Sequence, residues 1–477
     1  MPPTTRIVIV GGGISGLAVA WALHERRQRQ ADGPPLEVVV LEGEARPGGK
    51  ILSERVDGFL CEWGPNGFLD REPATLELCR ALGLGEQLLP ATAAFGKRYI
   101  YRAGRLHVAA AHPLRFLASG LLPCRGKLRL LREPWVAARP AEATDDESVL
   151  AFAARRIGPV AARVLIDPMQ SGIYAGDPAR LSVASCFPRV VEIERQYGSL
   201  IRGLVAVKRE RRRQGTGPSG SAPGAGPSGH LTSLRPGLQL LPDTLAERLG
   251  GIVRRGQRVE RLARSADGEA WVLHRRGQAP LTADVLILAC PAHAAATLLD
   301  GVDETLATLL RQIDYAPLAV VALGYRREQV RHPLDGFGFL AARGEGLRLL
   351  GTLWDSTIFG DRAPTDHVLL RAMVGGARDR EAAALPPPTL ATAAHEALRP
   401  LLGIDGSPVL AEAVVHRRAI PQYNVGHRDR VAQLAAQLTR HPGLILAGNA
   451  LHGVGINDCA RNAKIVAEQA LAQLAST

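Results

Sequence analysis

Near the start of the chain, Gly11-Gly12-Gly13-Ile14-Ser15-Gly16 follows a G-x-G-x-x-G spacing. That spacing serves dinucleotide chemistry when a strand precedes it and a helix follows. Gly11 permits a tight turn, Gly13 lets the backbone approach a pyrophosphate, and Gly16 allows close helix–strand packing. The unpaired N–H groups of the helix start then face the phosphates. A carboxylate completes the pattern. Glu42, 26 residues beyond Gly16, can accept hydrogen bonds from ribose hydroxyls. The usual interval is ~20, and the polar insertion at 28–35 accounts for the excess. No Ser/His/Asp or Cys/His arrangement is apparent, and His452 reads as structural, so no catalytic acid, base or nucleophile is assigned. The six cysteines lack C-x-x-C spacing and no His/Cys run resembles a zinc site. No metal is therefore expected, and a reduced intracellular protein fits best.

The elements around the glycines satisfy the condition. Residues 6–10 (Arg-Ile-Val-Ile-Val) read as a buried strand, 14–27 as a helix and 36–41 as a second buried strand. Together they make a βαβ unit. From about 105 to 210 the chain reads as mostly helical, punctuated by Pro113, Pro123 and Pro134. Residues 211–230 are rich in Gly, Pro and Ser and read as a disordered surface loop. Strand patterns at 258–262, 270–274 and 283–289 look like a return to the first domain. A final apolar strand at 444–447 leads through glycines into a C-terminal helix. The expected plan is thus α/β: a Rossmann-like dinucleotide domain, a mixed-sheet substrate domain and a helical subdomain. The first domain takes 1–96, 231–300 and 439–477, the helical subdomain takes 97–210, and the substrate domain takes 301–438.

The 477 residues carry a formal charge of +12, mostly from arginine, which favours anionic partners. Aromatic residues make up 4%, too few to suggest stacking platforms for single-stranded nucleic acid, and no nucleic-acid motif is present. Neither a signal peptide nor an apolar run long enough to span a bilayer is evident. The expected location is cytoplasmic, with any membrane contact peripheral. Residues 98–132 mix basic positions (among them Arg125, Lys127, Arg129, Arg132) with leucines (among them Leu121, Leu122, Leu128, Leu131). Such a surface is a candidate for docking on anionic lipid, or an ordinary helical subdomain with a solvated face.

Four residues after Glu42 comes Arg46-Pro47-Gly48-Gly49-Lys50. It resembles the second glycine motif of the flavoprotein family that contains amine oxidases, phytoene desaturases and protoporphyrinogen oxidases. The C-terminal Ala447–Asp458 segment resembles the family's strand–Gly–helix beside the flavin. FAD is the cofactor this implies, with a positive helix end stabilising the reduced ring. A finer resemblance, to the oxygen-dependent protoporphyrinogen and coproporphyrinogen oxidases, covers nearly the whole chain outside 211–230. It rests on Gly64-Pro65-Asn66-Gly67-Phe68-Leu69, Lys97–Tyr101, Gly172–Asp177 with Leu181-Ser182, 351–364 with Phe359 and Arg362-Ala363-Pro364, and 453–459.

That resemblance implies roles. Arg98 looks like the arginine that pairs a ring propionate, a task suited to a bidentate guanidinium. Leu340 and Phe359 look like an apolar pair sandwiching a pyrrole, and core positions are the plain alternative. Gly172, Ile173 and Gly176 look like the segment whose carbonyls face pyrrole N–H groups. Asn66 looks like a pocket residue near the flavin. Further cofactor contacts fall at Gly64, Pro65, Gly67, Val259, Asn449, Val454, Gly455 and Ile456. The implied reaction takes six electrons from a porphyrinogen in three flavin reductions, with O2 as acceptor and H2O2 as product, in haem biosynthesis. Protoporphyrinogen IX is the first expectation and coproporphyrinogen III the alternative. More distant alternatives are an amine oxidase, a carotenoid desaturase or a non-catalytic binder on the scaffold of the GDP-dissociation inhibitors. A homodimer is compatible with all of them.

Overall fold

The computed structural model describes residues 5–29, 35–109, 116, 118–140, 145–213 and 229–475. Most of the glycine- and proline-rich 211–230 segment lies outside these residues, as do Pro113, Leu114, Arg115 and Leu117.

Five parallel strands form the first sheet, in the spatial order Val253–Arg254, Leu36–Leu41, Thr5–Val10, Val285–Leu288, Leu444–Leu446. Their runs of Ile, Val and Leu are buried on both faces, as a covered parallel sheet requires. One face packs against the helices Ile14–Arg29 and Ile456–Ala475. The other packs on an antiparallel three-stranded sheet, Val259–Arg264, Trp271–Arg275 and Leu281–Ala283. Only the last of the three strand patterns read after the low-complexity segment therefore enters the first sheet. The first two form this covering layer.

The second sheet has seven strands, ordered Leu410–Pro421, Tyr315–Arg326, His367–Gly375, Leu349–Leu353, Gly338–Ala341, Arg98–Arg102, Arg105–Val108. All pairs are antiparallel except Gly338–Ala341 with Arg98–Arg102. Residues 97–109 thus pair into the mixed sheet, and the helical part begins only after them. The expected boundary at 97 is displaced because a parallel partner 240 residues away leaves no local trace. One face of this sheet is sealed by the helix Pro387–Leu402. The opposite face turns toward the carboxyl ends of the parallel strands, where ligands bind in open α/β sheets.

Candidate cofactor and substrate site

The carboxyl ends of three parallel strands gather the predicted dinucleotide residues. Gly11 follows the first strand and its N–H bonds the Leu41 carbonyl at 2.9 Å. A Cβ added to Gly16 would sit 2.0 Å from the Gly11 carbonyl oxygen, whereas one added to Gly13 would meet nothing within 4 Å. The turn is therefore tight where it meets protein and open where a pyrophosphate would lie. Glu42 is buried, its carboxylate accepting from the Gly12 amide at 2.7 Å and the Glu44 amide at 2.8 Å. Its own amide and carbonyl bond Arg254 and Gln257 (3.0 and 2.7 Å). These contacts bring Val259, buried two residues further on, to the same end of the sheet.

The second glycine motif closes over this turn. The Gly48 amide donates to the Gly12 carbonyl at 2.8 Å. Arg46 curls the loop by donating to the carbonyls of Pro47, Gly49 and Ile51. Lys50 lies 5.5 Å above the Tyr315 ring with no carboxylate partner among the described residues, and burial lowers its pKa. A cation held so is ready for an anion. The Gly64–Gly67 segment packs directly behind, a Cβ on Gly64 falling 2.0 Å from the Lys50 carbonyl. Asn66 Nδ2 is buried without a hydrogen-bond partner among the described residues, as is Asn457 Oδ1 in the first turn of the C-terminal helix. Open space at Gly13, a half-buried cation with no carboxylate partner among the described residues, and two buried amide atoms at Asn66 and Asn457 would suit a bound dinucleotide. The residues that would hold FAD are thus Gly11–Gly16, Glu42, Gly48–Lys50, Gly64–Gly67, Asn449 and Val454–Ile456. Among the described residues no group of three His, Cys, Asp or Glu side chains could hold a metal ion.

On the substrate side, strand pairing puts Arg98, Leu340, Gly351 and Met373 on one face of the seven-stranded sheet. Arg98 stacks over Phe95 and Phe337 (4.8 and 5.5 Å to the ring centroids), and desolvation there lowers its pKa. Its neighbour Lys97 is neutralised by Asp335. Arg98 has no carboxylate partner among the described residues. Leu340 touches Gly172, where an added Cβ would lie 3.1 Å from the leucine. Gly172 and Ile173 lie in the last turn of the helix Asp167–Tyr174, and their carbonyls accept nothing from the residues that follow. Such helix-terminal carbonyls are unpaired acceptors carrying partial negative charge.

Two expectations need correction. Phe359 is fully buried in a cluster with Phe95, Leu231 and Ile358, and Arg362 lies over its ring. It is a core residue, not the second wall of a sandwich. The Gly176 carbonyl is already taken by Gln170 Nε2 at 3.0 Å, so among the described residues of this segment Gly172 and Ile173 are the ones whose carbonyls accept nothing from the chain that follows. The family-like Arg362-Ala363-Pro364 is structural as well. Arg362 is 1% exposed and donates to Ser233 Oγ and the carbonyls of Leu234 and Arg235.

Two further residues were missed. Arg371 leaves the sheet face to donate to the carbonyls of Glu62 and Gly64 (3.1 and 2.8 Å), with its Nε 2.8 Å from buried Asp355. His416 Nε2 lies 2.7 Å from the Trp63 carbonyl. Both fix the approach to Asn66 from the substrate sheet. The available signal was an arginine inside an otherwise apolar strand, His367–Gly375, since a buried cation must have a purpose.

The flavin-containing amine oxidoreductase family model matches residues 14–471. A coproporphyrinogen III oxidase from Bacillus subtilis (strain 168) is 32% identical over 98% of both chains. A chloroplastic protoporphyrinogen oxidase 1 from Spinacia oleracea is 31% identical over 96% of this chain and 82% of its own. The crystal structure of a provisionally named protoporphyrinogen oxidase from Exiguobacterium sp. 255-15 superposes with a TM-score of 0.82 at 27% identity, covering 99% of both chains.

Proposed function

The chain belongs to the flavin-containing amine oxidoreductase family and is an FAD-dependent oxidoreductase; from that premise we propose that it oxidises protoporphyrinogen IX to protoporphyrin IX. The observation that carries this choice is that the guanidinium of Arg98, with no carboxylate partner among the described residues, shares a sheet face with Leu340, whose side chain meets the helix end at Gly172. An apolar macrocycle edged by carboxylates is complementary to such a face, where a cation stands beside aliphatic surface and main-chain acceptors. FAD, when bound, supplies the two-electron acceptor for each of three successive oxidations. Arg98 binds a propionate. The Gly172 and Ile173 carbonyls accept pyrrole N–H groups and so fix the ring's rotation. Leu340 excludes water from its face, and Asn66 offers its unpaired amide at the boundary between macrocycle and cofactor. Catalysis then comes from positioning and desolvation, without a dedicated acid–base pair. With O2 as acceptor, each turnover of the macrocycle consumes three O2 and releases three H2O2. Coproporphyrinogen III is the second reading, favoured by the likeness to the Bacillus coproporphyrinogen III oxidase.

The test is turnover of each porphyrinogen in air, followed by porphyrin fluorescence. Protoporphyrinogen should be the faster substrate, and a faster coproporphyrinogen reaction selects the second reading. Arg98→Ala should raise KM about ten- to hundred-fold with little change in kcat, as loss of a charged hydrogen bond to bound substrate requires. An unchanged KM removes Arg98 from the site.

No helix among the described residues is long and apolar enough to cross a membrane. We propose a cytoplasmic protein with a peripheral lipid contact on the helical part. Leu128 (53% exposed), Leu131 (48%) and Trp135 (78%) project beside Arg129 and Arg132, which with Val136 line a depression of about 540 Å³. Leu121 and Leu122 point inward instead, so the contact is narrower than the 98–132 stretch. An aromatic ring amid basic side chains suits an anionic interface. Vesicles of anionic lipid should float the protein at low salt and release the Trp135→Ser variant. Absence of wild-type flotation at low salt ends this idea.

A further inference from the structure

Two neighbouring residues after the strand Leu410–Pro421 bond different main-chain segments. Both are fully buried, Gln422 at 2% and Tyr423 at 1% exposure. The Tyr423 hydroxyl donates to the Asn449 carbonyl at 2.6 Å and accepts from the Gly453 amide at 2.8 Å. Its ring stacks on His427, with centroids 4.1 Å and planes 12° apart, and His427 Nε2 lies 3.3 Å from the Leu451 carbonyl. Three main-chain groups between Asn449 and Gly453 are thus held by one stacked pair. The same segment feeds the start of the helix Ile456–Ala475, where Asp458 accepts from the Gly455 amide at 3.1 Å.

Gln422 bonds the helix end at Tyr174, whose ring also lies 6.0 Å from that of Tyr423, a contact that the Tyr423 hydroxyl does not make. Its Nε2 donates to the Tyr174 carbonyl at 2.8 Å and to the Ile420 carbonyl at 3.0 Å. Tyr174 ends the helix whose free carbonyls belong to Gly172 and Ile173. Gln422 also abuts Gly176, where an added Cβ would lie 2.6 Å from Oε1. The main chain between them is pinned too: Ser182 N donates to the Tyr423 carbonyl at 2.8 Å and Gln422 N to the Asp314 carbonyl at 2.8 Å.

We propose that Gln422 and Tyr423 are positioning residues with divided duties: Tyr423 sets the flavin-side turn Asn449–Gly455, and Gln422 sets the porphyrinogen-side helix end Gly172–Tyr174. Because the two are consecutive and rigidly bonded, one short segment fixes the separation of cofactor and substrate. This rests on the function proposed above. Neither side chain touches the reacting atoms. Each acts through a main-chain turn, so its loss changes geometry and not the chemistry available.

The experiment splits the two duties. FAD dissociation from the holoenzyme is read by recovery of flavin fluorescence on dilution, and KM is read with porphyrinogen. Tyr423→Phe keeps the ring and its stack but removes both hydroxyl bonds, and should weaken FAD retention about tenfold with KM near wild type. Gln422→Met, similar in length and without a donor, should raise KM about tenfold while FAD dissociation stays near wild type. Should Tyr423→Phe fail to accumulate, His427→Phe keeps the stack, loses the bond to Leu451 and should give the same split with a smaller shift. Variants that move both constants together, or that lower only the melting temperature, overturn the proposal. The FAD readout needs no substrate. Wild-type inactivity toward porphyrinogens therefore overturns the Gln422 half together with the function it rests on, whereas a wild-type FAD constant in Tyr423→Phe overturns the cofactor half alone.

Discussion

Gly16→Ala should yield a colourless protein, devoid of porphyrinogen turnover. The added methyl would lie 2.0 Å from the Gly11 carbonyl oxygen, 3.2 Å from its carbon and 3.3 Å from the Ala289 methyl. The first two obstacles are backbone, so no side-chain rotation relieves the clash. The turn itself cannot retreat. Gly11 has φ of +113°, and a Cβ built on it would lie 2.9 Å from the Cys290 amide nitrogen, so the strand end behind it is close-packed. Relief must come from moving the helix Ile14–Arg29 away from the sheet, which unmakes the phosphate cradle and costs roughly 1–3 kcal/mol or more in packing. Gly13→Ala makes the informative contrast. Its methyl meets nothing within 4 Å, so the apoprotein should melt like wild type while FAD binding still falls, because the methyl occupies the pyrophosphate's place. Visible flavin absorbance per chain and the melting temperature of both variants separate the cases. A yellow Gly16→Ala protein with full flavin content would falsify this account of the turn.

That contrast also marks what the sequence made legible. The glycine turn could be read because each glycine answers a local demand, and local demands leave a spacing. The strands Thr5–Val10, Leu36–Leu41 and Val285–Leu288 were equally readable, since full burial on two faces leaves an unbroken apolar run. The two-residue strand Val253–Arg254 was not, being too short to show any period. The seven-stranded sheet was the greatest loss. Its one parallel pair joins Arg98–Arg102 to Gly338–Ala341, and no local pattern encodes a partner so distant. Residues 97–109 were therefore assigned to the wrong part of the plan. The substrate side suffered for the same reason. Arg98 and Leu340 could be suspected singly, but their shared face follows only from the register. Phe359 shows the converse: a large apolar residue in a family-like stretch suits a binding wall and a core equally well, and only its burial under Arg362 separates the two.

The helical part poses the harder stability question, because its anchor is ionic. Arg156 and Glu133 are both 0% exposed and bonded to each other. Glu133 also accepts from Ser199 Oγ at 2.6 Å and from the amides of Leu200 and Ile201 at 2.8 and 3.1 Å. It thereby caps the helix Leu200–Arg213 from outside, where a carboxylate is favoured by the helix dipole. Arg156 further donates to the carbonyls of Val136 and Gly198 (3.0 and 3.1 Å). Removing one member of such a pair is far costlier than replacing both, because the other stays charged in a low dielectric. Arg156→Met should accordingly lose about 3–5 kcal/mol at neutral pH. The pH dependence distinguishes charge loss from a mere packing defect. Burial alone would raise the Glu133 pKa, but the Ser199 hydroxyl, the two amides and Arg156 outweigh it and hold the group below the usual glutamate value. A carboxyl depressed in the folded state contributes stability that is complete above its unfolded pKa and is lost as pH falls through the folded one. Without Arg156 that depression shrinks, so the variant has less of this stability to lose in acid. The gap between wild type and variant in urea unfolding should be widest near pH 7 and should narrow below about pH 4. Equal gaps at both values would mean that the guanidinium serves as volume and not as charge. Trp135 stands two residues beyond Glu133, so the exposed ring at the proposed lipid contact is held in place by this buried pair, and Arg156→Met should weaken flotation at neutral pH although no atom of Arg156 reaches the surface.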